Sequence, residues 1–269
     1  MKLILRPFVF ILLLILISTF SFSQSRDTIW NQKDKQGRNQ GFWKPKYENG
    51  NPKFIGFFKD GKPVGQLIRY YEDGTVKARM TYHTKDDTVK VSFFYQNNKL
   101  WAEGIYVDMV KEGTWSYYSY YSGKLVIKEK YVRGLKSGIS SKFYESGALT
   151  EELEYKNDMK NGLWNQYYEN GAPRLKGNYE LNLRTGSYLV TYPSGDKQVT
   201  GQFVKDKMDG KWTYFDEKGK PELEIIYVNG IAQDEDKIND HQKALLLKME
   251  MNKGKYPEPD ETNIAPPLK

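Results

Sequence analysis

The sequence predicts an all-β fold: an elongated single antiparallel sheet of eight stacked 24-residue β-hairpin repeats, with a C-terminal helix. Two observations carry this. Glycines recur at Gly41, Gly65, Gly113, Gly138, Gly162, Gly186 and Gly210, with Val89 in the one gap, at intervals of 24 residues and once 25. Aromatic residues recur in phase with them, and self-similarity at a fixed period marks a repeat architecture. Composition agrees, because 21 Tyr, 13 Phe, 6 Trp and 23 Gly in 269 residues favour strands joined by turns.

Residues 1–23 read as a signal peptide. Lys2 and Arg6 give a positive start, Phe8 to Ile17 is an unbroken apolar run, and Ser21-Phe22-Ser23 offers small residues for cleavage. The run is shorter than the roughly 20 residues that span a bilayer, and no Cys follows it for lipid attachment. The expectation is an exported chain, periplasmic, at the cell surface or secreted, cleaved near Ser23. Net charge is +7, and removal of Lys2 and Arg6 leaves 39 basic against 34 acidic residues. With both signs interspersed, this is a poor footprint for nucleic acid. With no Cys, no disulfide supports the fold.

A lead-in, 24–40, precedes the repeat array, 41–233. A second glycine follows the first by nine residues at Gly50, Gly74, Gly147, Gly171, Gly195 and Gly219; Asn98 replaces it in the third copy, and Gly123 comes one residue late in the fourth. Asn is the residue that best replaces Gly at positive φ. Two residues after the first glycine stand Trp43, Trp115, Trp164, Tyr188 and Trp212; five or six after it stand paired rings such as Tyr167 and Tyr168. Seventeen or eighteen after it come Phe58, Tyr82, Tyr106, Tyr131, Tyr155, Tyr179, Phe203 and Tyr227. The stretch from Gly162 to Gly171 reads as an aromatic strand ending in an Asn-Gly turn, a strong hairpin signal. A returning strand then reaches Tyr179, and a polar loop leads to the next glycine. One hairpin alone is marginal, so the units must share their rings with neighbours, and the Trp column is expected to pack between repeats.

The pattern of Gly, Trp, paired Tyr, Glu-Asn-Gly and a later ring, as in Gly162 to Tyr179 or Gly41 to Phe58, resembles the MORN-repeat variant of bacterial exported 24-residue-repeat proteins and of YwqK-type antitoxins. It covers roughly residues 41–230. The resemblance implies a long antiparallel sheet of successive hairpins and a role in binding proteins or membranes, without an enzymatic core.

Beyond Tyr227 the pattern stops. Residues 234–254 read as a helix, with Ile238, Leu245, Leu246 and Met249 on one face, Asp236 to cap it and Gly254 to end it. It would either cover the end of the array or bind a partner. The last segment, 255–269, holds four prolines and is expected to be disordered.

The chemistry-bearing residues are few. His83 and His241 are the only histidines, which supports neither a metal triad nor a Ser-His-Asp arrangement. No catalytic residue, cofactor site or metal site is assigned, and the chain is read as no enzyme. Acidic residues recur seven after the first glycine, at Glu48, Glu72, Glu145, Glu169 and Glu217, and basic ones shortly before it, at Lys62, Lys136, Lys160, Arg184 and Lys207. The two turn types fall at opposite edges of the ribbon, so one edge is expected to be acidic and the other basic, able to steer a partner. The function expected is a protein-binding scaffold, antitoxin-like or immunity-like. The alternatives are a structural or membrane-surface module of the cell envelope, or glycan binding by ring-lined grooves.

Overall fold

The computed structural model describes residues 29–83 and 87–234, with isolated positions up to 247. Twenty strands form one antiparallel sheet. In chain order they are β1 (Gln32–Lys33), β2 (Asn39–Trp43), β3 (Phe54–Lys59), β4 (Lys62–Tyr70), β5 (Val76–Tyr82), β6 (Thr88–Phe94), β7 (Leu100–Val107), β8 (Val110–Tyr118), β9 (Leu125–Val132) and β10 (Leu135–Lys136). Then come β11 (Gly138–Phe143), β12 (Leu149–Lys156), β13 (Met159–Tyr167), β14 (Pro173–Glu180), β15 (Leu183–Arg184), β16 (Gly186–Thr191), β17 (Lys197–Val204), β18 (Lys207–Phe215), β19 (Pro221–Val228) and β20 (Ile231–Ala232). Each strand pairs with the next in sequence, except that β10 and β11 share the neighbour β9, and β15 and β16 share β14. The result is a meander with no crossover, and β1 carries it into the lead-in by pairing with Asn39 and Gln40.

The repeat is written into the ladder. In all eight copies the first-column residue faces the later ring: Gly41 and Phe58, Gly65 and Tyr82, Val89 and Tyr106, Gly113 and Tyr131, Gly138 and Tyr155, Gly162 and Tyr179, Gly186 and Phe203, Gly210 and Tyr227. All seven glycines of that column have positive φ, at a place where the pairing with the preceding strand slips: Gly56 faces Leu67 and the next residue, Phe57, faces Val64. That geometry is a β-bulge, and Gly suits it for want of a Cβ.

Turns alternate between two kinds, and both differ from the expected chemistry. At the second glycine the loop has three residues: Tyr168 N–H donates to Ala172 O at 2.9 Å and Gly171 N–H to Tyr168 O at 2.9 Å. This is a tight turn closed by a bulge in which the Gly has positive φ and the Asn does not, so Asn170-Gly171 is not the mirror-image two-residue turn its sequence suggests. Asn98 takes the Gly role at φ 64°, and the extra residue of the fourth copy is absorbed by a four-residue loop, Tyr120 to Gly123. At the other edge the polar loop is a two-residue turn with both φ positive. It is made by Asp60-Gly61, Asp108-Met109, Arg133-Gly134, Asn157-Asp158, Leu181-Asn182, Lys205-Asp206 and Asn229-Gly230. The second connection of this kind, between β5 and β6, includes 84–86, outside the described residues.

The core lies on one face of this open sheet, along the Trp column. Phe58, Leu67, Ala78, Met80, Val89, Val91 and Trp115 form its N-terminal part. Trp115 is 1% exposed although no second layer of the described residues covers it. Its indole lies on the bare backbone of Gly104, where a methyl would come within 2.4 Å of the ring. Tyr106 meets it edge-on at 4.9 Å and Lys111 Nζ covers it at 4.7 Å. Trp212 repeats the arrangement over Gly201 with Phe203 at 5.0 Å.

The backbone is helical at 236, 237, 239, 240, 243 and 247, and Lys237 with Asp240 borders Leu223 of β19. The rest of the expected helix, its apolar positions, the signal peptide and the Pro-rich tail lie outside the described residues.

Candidate functional site

The repeats are braced across both edges. At the three-residue turns the tyrosine just before the turn donates its hydroxyl to a backbone carbonyl of the next unit: Tyr47 to Tyr70, Tyr71 to Phe94, Tyr95 to Tyr118, Tyr144 to Tyr167, Tyr168 to Thr191 and Tyr192 to Phe215, all at 2.7–3.0 Å. At the two-residue turns a turn N–H donates to the previous unit, as Asp158 to Lys136 O and Asn182 to Lys160 O, both 2.9 Å. The pairing of tyrosines was visible in the sequence; its role as a clamp was not, because the acceptor is a backbone atom 23 residues away.

The candidate charge columns fall where their spacing puts them, in different surroundings. Glu48, Glu72, Glu145, Glu169 and Glu217 are each the first residue of a three-residue turn and are exposed. The basic column divides. Lys136, Lys160 and Arg184 lie over the rings of Tyr155 at 4.7 Å, Tyr179 at 4.8 Å and Phe203 at 4.2 Å, joined by Lys111 over Tyr131 at 4.7 Å, which stands at the same spacing, two residues before Gly113, but was not named in the column. Lys62 and Lys207 are exposed. Their edge also carries Asp60, Asp108, Asp158 and Asp206, and Asp206 pairs with Arg184 Nε at 2.7 Å, so it presents both signs. The first cause acting on Asp206 is its hydrogen bond from Arg184, which holds its carboxyl below the usual range.

Structural residues also sit as columns. Gly41, Gly65, Gly113, Gly138, Gly162, Gly186 and Gly210 form the bulges, while Trp43, Trp115, Trp164 and Trp212 contact Phe58, Tyr106, Tyr179 and Phe203 respectively. A third glycine column, Gly56, Gly104, Gly177 and Gly201, makes room for the side chains beside it. It has the same 24-residue phase and could have been found by it.

The regular pattern fails at two neighbouring places. In the fifth copy the Trp position holds Ser140, and the core face turns polar. Glu129 binds Lys136 and the Tyr131 hydroxyl, while Glu151 takes Lys142 Nζ at 2.8 Å, Gln166 Nε2 at 2.9 Å and Trp164 Nε1 at 3.1 Å. Burial raises the pKa of Glu151, but the hydrogen bonds from Lys142, Gln166 and Trp164 outweigh it and hold the carboxyl below its ordinary value. In the fourth copy the enlarged turn puts Tyr120 and Tyr121 where five of the other seven tips carry a glutamate; they are 44% and 57% exposed. Tyr120 meets Tyr95 edge-on at 5.0 Å and Tyr121 at 5.3 Å. Asn97 Nδ2 donates to Tyr120 O at 3.1 Å and Lys99 to Tyr121 O, so the backbone beneath the rings is tied down. Among the described residues no group of three His, Asp or Glu could hold a metal ion, and no helix is long and apolar enough to cross a membrane.

No curated protein matches the chain. The sequence profile of the family described as MORN repeat variant matches residues 63–83, 136–157, 160–181 and 208–229. Each match spans the strand pair around one three-residue turn, β4 and β5, β11 and β12, β13 and β14, and β18 and β19 in the ladder described above. The chain is a repeat protein that carries the MORN repeat variant in these four stretches.

Proposed function

We propose that this chain is an exported, non-enzymatic scaffold that binds a protein partner along the edge made by its three-residue turns. In its narrower form the role is immunity-like, with the scaffold covering a toxin. The observation that carries the reading is the Tyr120–Tyr121 tip. Lengthening that turn puts Ser119 at the clamp position, so the tyrosine clamp between the fourth and fifth units gives way to hydrogen bonds from the Ser119 and Ser122 hydroxyls to the Glu145 carboxylate and from Lys124 Nζ to Glu145 O, and exposed rings stand on a rigid backbone. Departures from local structural consistency are where binding sites are expected. Tyrosine offers a partner large contact area at small entropic loss. Glu145 on the next tip and Glu72 two tips away add long-range steering.

The test is capture from a cell-envelope extract by the wild-type chain and by Tyr120→Ser/Tyr121→Ser. The expected result is one stoichiometric protein, retained at least about tenfold less by the variant. Capture of vesicles or polysaccharide instead, or equal capture by both chains, contradicts the reading.

A further inference from the structure

The face opposite the Trp column carries an aliphatic strip along the two-residue turns. Across these turns Val107 faces Val110, Val132 faces Leu135, Lys156 faces Met159, Glu180 faces Leu183, Val204 faces Lys207 and Val228 faces Ile231. Leu181, at the turn itself, is 60% exposed, Leu183 40% and Ile231 66%. Every one of these six turns leaves at least one aliphatic side chain in the strip, whereas the first turn presents only Lys59 and Lys62. The turns are stacked in contact by the N–H braces, so the side chains form a continuous line. Contiguous exposed apolar surface of this kind marks an association site.

We propose that this strip is the interface between two copies of the chain, related by a two-fold axis lying between the turns Asn157-Asp158 and Leu181-Asn182. The strip has the period of the array, and a second copy presents the same period to it. A two-fold axis makes the interface self-complementary, which is the usual form of a homodimer. Placed there, at the middle of the six turns, it sets Val107 against Ile231, Val110 against Val228 and Leu135 against Val204, with Lys207 beside Val132. It also brings Lys156 within one strand spacing, about 4.8 Å, of Glu180 in the other copy, twice, and neither of these forms an ion pair within the chain among the described residues. A two-fold axis between any other neighbouring pair of turns leaves at least two of the six turns without a counterpart in the strip. Six turns at roughly 10 Å per repeat, two strand spacings each, meeting over a width of about 10 Å, bury on the order of 1,000 Å² in total, enough for a specific if modest interface. This surface is separate from the tyrosine tip, on the other edge of the sheet.

Sedimentation velocity of the full mature chain, from about 1 to 100 μM, tests it, with circular dichroism to establish that each variant is folded. The wild type is expected to shift from monomer to dimer over that range, as the modest area implies. Leu181→Asp/Leu183→Asp should remain monomeric, since the strip would then bury charge. Lys156→Glu or Glu180→Lys alone should weaken the dimer about tenfold, and the two together should restore it. A wild type monomeric throughout, or a dimer indifferent to the aspartates, would overturn the proposal. Failure of the double exchange to restore what each single exchange weakened would overturn it as well. None of these outcomes depends on whether the tyrosine tip captures a partner.

Discussion

At the scale of single residues, glycine serves two unrelated purposes here, and they predict different mutational behaviour. Gly171 has φ 83° with nothing near its missing Cβ, so the constraint is conformational. Gly171→Val should therefore lower the melting temperature more than Gly171→Asn, because Asn tolerates positive φ and a β-branched residue does not. The third copy already uses Asn98 at φ 64° in that place. Equal loss for both variants would remove the conformational argument. Gly104 is the opposite case: its φ is not in the left-handed region, but a methyl would meet the Trp115 ring at 2.4 Å. Gly104→Ala should destabilise by about 1–3 kcal/mol, the range for overpacking, and should quench or shift Trp115 fluorescence as the indole is displaced. An unchanged denaturation midpoint would contradict the packing described for this ring. Glycines of the first kind were legible from their period alone. Those of the second kind share that phase but were not singled out, since a packing glycine in a strand carries no turn signature.

Among elements, the clamp and the polar break set how strongly neighbouring hairpins are joined. Tyr168→Phe removes one hydroxyl that reaches Thr191 O at 2.7 Å and keeps the ring, so the expected loss is about 0.5–1.5 kcal/mol in denaturant unfolding. No change would mean the clamp is incidental. The fifth copy should respond to acid. Glu151 has a folded-state pKa below its ordinary value, so its contribution is present above the unfolded carboxylate range, near about 4.3, and is lost as pH falls through the folded value. Glu151→Gln should accordingly flatten the fall in stability below about pH 4; an unaltered acid profile would rule the carboxylate out as a contributor. The hairpins themselves were readable because glycine, ring and turn recur in phase. The turn types were not: Asp108-Met109 and Leu181-Asn182 adopt the two-residue mirror-image turn without its usual Asn-Gly sequence, and at Leu181-Asn182 the Asn182 N–H, donated to Lys160 O of the previous unit, ties the turn down. The basic column was half legible, since spacing gave Lys136, Lys160 and Arg184 but could not tell that their cations lie over rings.

For the whole molecule, the account rests on the claim that the chain is a one-dimensional stack of interchangeable units in a single open sheet. Each unit meets only its neighbours, so removing one leaves every other register intact. Deleting residues 162–185 joins Asn161 to Gly186, the equivalent place one period later. Binding at the turn edge should then weaken in a graded way, because the tyrosine tip is retained and one steering glutamate, Glu169, is lost. The most direct measurement is small-angle X-ray scattering of the wild type and the 162–185 deletion, each at a concentration where it is monomeric. The account predicts an elongated particle for both, with the same cross-section and a longest dimension shorter by about 10 Å in the deletion, two strand spacings. A near-spherical wild type, or a deletion that unfolds or changes cross-section, would contradict it.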